Sequence, residues 1–376
     1  MGSEKIHRWI NYILLIITPI IIIVTILWGA EFSFDFDYIL YQQDWTALIQ
    51  GQNPYHYVNA EMQEVMCAYP LGFLVFAGLY IFHGLLPKVF FACMLVVIAF
   101  VINKICYKYK ITDKSSIMFS LGFIFLNPYY LMAGLMLGRY DIVVGLCVLL
   151  AVYAVDNAEQ LKSGIYTALA FLLKYIGLIL LFPVVFVKKK INWRAGLVAV
   201  AISGAVYLFG FLLWGTTVFD PFIEQLLRDP GGQSIFTFIL DTFGIDLSKY
   251  IVYILILGVF IVAIFLYFQN DDISTYSLIL IICFILILPV FYPQYILWFF
   301  PLLIYWSIRH NYAYRATIVI YMGVIGLVWL GTFFNIGNTP LLSIFSIIIN
   351  GIFALLIYFE NRRHKILNRI TSNETA

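Results

Sequence analysis

Long apolar runs separated by short polar breaks make up most of the chain. The first, from about residue 9 to 30, is long enough to cross a bilayer core and follows a short basic stretch, Met1 to Arg8. No small-residue cleavage site follows it, so it reads as an uncleaved first span. Between residues 31 and 87 the pattern changes. Carboxylates, Asn53-Pro54-Tyr55 and Tyr69-Pro70 lead into an apolar piece, 71–82, that is too short to span. This stretch predicts a structured first outer loop with interfacial helices. Further apolar runs near 89–103, 116–136, 142–156, 164–174, 175–187, 195–214, 250–268, 274–290, 295–308, 316–334 and 341–359 bring the expected total to about twelve spans. The two runs that flank Lys174 are each shorter than a full span, which predicts a bent or partial hairpin. The expected fold class is therefore all-α: a polytopic integral membrane protein forming a single module over residues 1–376.

Composition supports the class and narrows it. The chain is 63% hydrophobic and 11% charged, too apolar for a water-soluble protein. Its 27 tyrosines and 8 tryptophans suit side chains that settle at membrane interfaces. A net charge of +2 gives no reason to expect a nucleic-acid partner. Cys67, Cys93, Cys106, Cys147 and Cys283 lack metal-site spacing and read as small hydrophobes, with no disulfide expected. Charge also orients the spans. Under this segmentation 17 of the 22 lysines and arginines fall on one side, which the positive-inside rule makes cytoplasmic together with both termini. The five outer ones are Lys88, Arg139, Lys174, Arg228 and Lys249, on the same side as Asp35, Asp37 and Asp44.

That outer face is where chemistry is expected. Three carboxylates within ten residues, in a chain with few, follow directly on the first span. An ionised carboxylate within reach of a hydroxyl is a general base. Arginine and lysine at the same level can hold a phosphate, the first through a planar fork and the second as a point charge. A lipid-phosphate sugar, with its phosphate at the interface and its tail in the bilayer, would meet both.

The residues also resemble a known group of enzymes. Asp35-x-Asp37-Tyr38 followed by Gly51-x-x-Pro54-Tyr55 resembles the first outer loop of the membrane-embedded GT-C glycosyltransferases, notably the mannosyltransferases that add the first mannose to GPI anchors. Leu126-Asn127-Pro128 ahead of a polar turn is similar too. Gly138-Arg139-Tyr140-Asp141, the Lys174 hairpin and Pro293-Gln294-Tyr295-Ile296-Leu297-Trp298 are more similar to the prokaryotic branch that uses polyprenol-phosphate sugars. The chain departs from the pattern at Tyr69-Pro70-Leu71, where relatives often carry a second proline, and at Gln233-Ser234, where Glu-Ser is expected.

The resemblance implies an inverting transfer of a hexose, often mannose, from a polyprenyl-phosphate donor to a glycolipid or glycan acceptor on the outer or lumenal face, most naturally of a prokaryotic plasma membrane. It maps the catalytic base onto Asp37, with Asp35 second. Arg139, Lys174 and Arg228 are the candidate phosphate ligands, and Asp141, Gln294, Tyr38, Tyr41 and Tyr55 the candidate substrate contacts. Each has a plainer reading. Asp35 and Asp37 can cap an interfacial helix, Arg139 and Asp141 can pair with each other, Lys174 can snorkel to headgroups, and the tyrosines can anchor the interface. Asp44, seven residues beyond Asp37, is expected on a solvated helix face. A divalent metal is not expected to be required, since basic side chains can neutralise one phosphate. The rival reading is a transporter or lipid flippase, but the central thirds of the expected spans hold no ionisable group.

Overall fold

In hydrocarbon, backbone N–H and C=O groups have only one another to bond with, so an unbroken apolar run becomes a helix. Ser3–Glu31 is one such helix, α1. The computed structural model describes residues 3–31, 36–59, 62–125, 127–187, 190–232, 234–269, 272–310, 347–360 and 362. Asp35, Gln233 and the expected span at 316–334 lie outside them.

Beyond α1 come α2 (Phe36–Ile49), α3 (Leu86–Lys108), α4 (Asp141–Asp156), α5 (Gln160–Leu173), α6 (Ile176–Val185) and α7 (Trp193–Trp214). They are followed by α8 (Asp220–Leu227), α9 (Ile235–Phe243), α10 (Ile251–Gln269), α11 (Ile273–Leu286), α12 (Phe300–Arg309) and α13 (Ile347–Glu360). The chain is thus an all-α, polytopic integral membrane protein, with only two-residue strand pairs besides its helices among the described residues.

The expected spans are not equivalent. Among the described residues, four helical segments are long and apolar enough to cross a membrane: Glu4–Trp28, Leu86–Lys108, Trp193–Leu227 and Ser248–Gln269. Leu71–Tyr80, Ile176–Val185, Ile273–Leu286 and Ile347–Glu360 are apolar but shorter. The run expected as one span over 116–136 is broken into short pieces, π-helical at Met118–Gly122 and Met132–Met136. Pro128 has no N–H to donate, and the glycines at 122 and 134 favour backbone adjustment, so the ladder is interrupted where hydropathy alone reads continuity. The Lys174 hairpin is bent as expected. Lys174 is extended (φ −154°, ψ 139°) between α5 and α6. The fold-back needs Gly177, where a Cβ would lie 2.2 Å from the Phe171 nitrogen.

Helix α4 is apolar on every side, and it is buried nearly all round, packed by α3, α5, α11 and α12. Its Gly145 leaves room for the Leu297 carbonyl, which a Cβ would approach to 2.1 Å. That contact seats the tight turn Pro293–Trp298 against the start of α4. At the same end of the bundle, the first loop folds over α2. Tyr57–Val58 pairs antiparallel with Glu64–Val65, Tyr41, Tyr69 and Phe73 pack ring against ring with Tyr140, and Tyr38 and Trp45 pack on Tyr41. Asp44 corrects an expectation. It is buried within this layer, not on a solvated face, and Tyr57 Oη donates to it at 2.9 Å. Loss of hydration pushes its carboxyl up to about 7, against the lowering effect of the Tyr57 hydrogen bond.

Candidate functional site

Five stretches far apart in sequence supply one cavity of about 650 Å³. The first turn of α2 gives Asp37. The segment before α4 gives Arg139, the α5–α6 junction gives Lys174, the end of α8 gives Arg228, and the Pro293–Trp298 turn gives Gln294. The remaining wall is apolar, formed by Ile176, Ile179 and Phe182 of α6, Leu255 and Val259 of α10, and Phe284 of α11. A polar end with three cations and one carboxylate is therefore continuous with a hydrocarbon-lined slot.

Asp37 is partly exposed to the cavity, with 27% of its side chain accessible, and is ion-paired with Arg139. Gln294 Nε2 donates to Asp37 Oδ2 at 3.4 Å. Arg139 is aimed by its backbone: its N–H donates to the Ala133 carbonyl at 2.9 Å, closing the π-helical turn. Gly138 before it has φ +65°, and a Cβ there would lie 2.5 Å from Lys88 Cγ and 2.9 Å from Tyr38 Cδ2. Only glycine meets both demands.

Arg139 and Asp141 do not pair with each other. Asp141, fully buried in the first turn of α4, receives Trp298 Nε1 at 2.5 Å and lies 3.6 Å from Lys174 Nζ. The Lys174 ammonium sits over the rings of Tyr140 (4.9 Å to the centroid), Tyr69 (5.2 Å), Trp298 (5.7 Å) and Tyr295 (5.9 Å), with Tyr295 and Trp298 stacked at 4.2 Å. An aromatic cage and one buried carboxylate thus hold this cation in place, the opposite of a snorkelling lysine. Arg228 faces the same cavity and has no carboxylate partner among the described residues.

The remaining expected contacts lie behind the wall. Asp141 supports Lys174 from below. Tyr38 is buried, donates to the Gly84 carbonyl at 2.7 Å and carries Lys88 4.4 Å above its ring. Lys88, counted among the outer basic residues, is buried and donates to the Met136 carbonyl at 3.1 Å. Tyr41 is enclosed by Trp45, Tyr69, Phe73 and Tyr140, and Tyr55 packs on Trp214. These three tyrosines shape the site without lining the cavity. Tyr69, Tyr295 and Trp298, which do line it, stand in motifs the sequence marks but are not among the expected contacts; aromatics at 18% of the chain hide the few that form a cage. Among the described residues no three His, Cys, Asp or Glu side chains converge as metal ligands.

The family model for glycosyltransferase family 87 matches residues 68–293, well over half of the chain. This stretch contains Arg139, Asp141, Lys174 and Arg228 and ends at Pro293, one residue before Gln294. No curated protein matches the chain.

Proposed function

The chain belongs to glycosyltransferase family 87, and from that premise we propose that it is an inverting hexosyltransferase using a polyprenyl-phosphate sugar. In this reading the hexose, mannose in the first instance, passes to a lipid-linked or glycan acceptor, with Asp37 as general base. A transporter or flippase is the disfavoured alternative, since the family is one of glycosyltransferases. The observation that carries the reading is the composite cavity, in which a carboxylate and three cations adjoin a slot of α6, α10 and α11 side chains. A donor with a charged phosphate and a hydrocarbon tail is amphiphilic in the same way.

The reaction runs as a single displacement. Asp37 takes the acceptor hydroxyl proton, and the oxygen attacks the anomeric carbon from the face opposite the phosphate. The bond from that carbon to the phosphate oxygen breaks with its electron pair on the phosphate. Arg139, Lys174 and Arg228 stabilise the charge that develops there, an interaction stronger in the transition state than in the ground state. Because they neutralise a monophosphate, the reading requires no divalent metal. In this reading the cavity opens on the outer face with both termini inside, an orientation supported by the distribution of lysine and arginine, and the prokaryotic plasma membrane is what the resemblance to the polyprenol-phosphate-sugar branch implies.

The test is transfer of label by the purified protein from radiolabelled polyprenyl-phosphate mannose and polyprenyl-phosphate glucose to a membrane glycolipid extract. Label in a new glycolipid whose anomeric configuration is inverted is the expected result. Retained configuration, or transfer only from a nucleotide sugar, would overturn the proposal.

A further inference from the structure

Asp37 faces the cavity already engaged, held by Arg139 and Gln294. A carboxylate clamped by a guanidinium is a weak proton acceptor, because the cation favours its ionised form. The same guanidinium is well suited to a phosphate. The other two cations have no such conflict. Lys174 is fixed by Asp141 and four rings, and Arg228 has no carboxylate partner among the described residues. Among the described residues only Arg139, of the three, has a partner in the path of the proton.

Charge sharpens the point. Among the described side chains, Asp37, Arg139, Lys174 and Arg228 on the wall, with Asp141 behind Lys174, leave one net positive charge. A lipid-phosphate sugar is a phosphodiester with one negative charge, so its charge and that of these five described groups sum to zero. After transfer the lipid phosphate is a monoester with two negative charges, while Asp37 has gained the acceptor's proton. The same sum is zero again.

We propose that Arg139 changes partner in each turnover, from Asp37 to the departing phosphate; this rests on the lipid-phosphate donor proposed above. The acceptor's O–H proton moves to Asp37, its oxygen bonds to the anomeric carbon, and the electron pair of the broken bond stays on the phosphate. Protonated Asp37 no longer holds the guanidinium, and the phosphate that has just gained a charge does. No bare charge is created in a low-dielectric site, where one would be costly. Gln294 keeps the carboxyl in place throughout, since its amide can donate to either protonation state and accept from the neutral one. The ion pair therefore masks the base until a phosphate is present, which orders the reaction donor first.

The exchange predicts that a dianionic lipid phosphate binds together with a proton. The probe is citronellyl phosphate, titrated calorimetrically at pH 8 into the full-length protein in nanodiscs, in two buffers of different ionisation enthalpy. The native protein is expected to take up about one proton per phosphate bound. The near-isosteric Asp37→Asn variant, which takes the Asp37 charge away from Arg139, is expected to take up none and to bind roughly tenfold tighter. In Asp37→Asn/Arg139→Gln that gain is expected to vanish. The native protein alone supplies a second readout that needs no variant: between pH 7 and pH 9 its affinity for the dianion should fall by roughly tenfold per pH unit. Equal affinity and equal proton uptake in native and Asp37→Asn proteins, or a pH-independent native affinity, would overturn the exchange and leave the donor reading standing. Failure of all forms to bind the probe would overturn the donor reading, and the exchange with it.

Discussion

Lys174 shows how a single residue depends on residues scattered along the chain. Its ammonium is caged by Tyr69, Tyr140, Tyr295 and Trp298 and paired with Asp141. The cage fits a compact ammonium and not a planar fork, so arginine is a poor replacement. Lys174→Met is expected to lower kcat for sugar transfer about 10²- to 10³-fold, the usual cost of one preorganised charge-stabilising group, and Lys174→Arg to rescue little of it. Steady-state kinetics on both variants checks this; recovery by arginine would argue against a cage built for an ammonium. Asp44 carries a pH prediction. Its carboxyl is raised to about 7 in the fold, so the folded state binds the proton more tightly than the unfolded chain. The stabilisation is present at acidic pH and lost as pH rises through about 7. Thermal unfolding between about pH 5 and pH 8 should show the native protein losing stability and Asp44→Asn changing little. At this scale the sequence was informative where polar residues are scarce: Asp37, Arg139, Lys174, Arg228 and Gln294, each marked from the sequence, line one cavity. Spacing could not reveal which carboxylates are buried, and Asp44 and Asp141 both are. Their partners, Tyr57 and Trp298, come from other stretches of the chain.

At the scale of elements, hydropathy reports where a run is apolar but not whether its ladder is continuous. The all-α class, α1, α3 and the bent hairpin at Lys174 were legible, because each rests on run length and a lone polar break. The breaking of 116–136 was not, since π-helical turns leave the side chains as apolar as before. One glycine shows how these elements meet. Gly145→Ala would drive a methyl into the Leu297 carbonyl, and overpacking of this kind costs about 1–3 kcal/mol. It should also push the Gln294 turn away from α4, so thermal stability and transfer rate are expected to fall together. A variant with native stability and native rate would show that the close approach is not required.

Across the whole molecule, ionisable groups gather at the two ends of the bundle. The end of α4 opposite the cavity carries Asp156, which is ion-paired with Arg309 and bonded by Tyr305. Arg309 lies 3.8 Å from Asp272, and His310 Nε2 3.1 Å from the same carboxylate. This network ties α4, α11 and α12 together; breaking such a pair strands a buried charge and costs about 3–5 kcal/mol. Arg309→Met is expected to lower the unfolding temperature while leaving the affinity for a lipid phosphate intact, because the two ends share no side chain. At the other end, Asp37 is proposed to take the acceptor's proton. The most direct measurement is the single-turnover rate of sugar transfer from polyprenyl-phosphate mannose by native protein and by Asp37→Asn, both shown to be folded and to bind the donor. Loss of about 10²- to 10⁴-fold in the variant, with donor binding retained, is the predicted result. Transfer by Asp37→Asn at the native rate would contradict it.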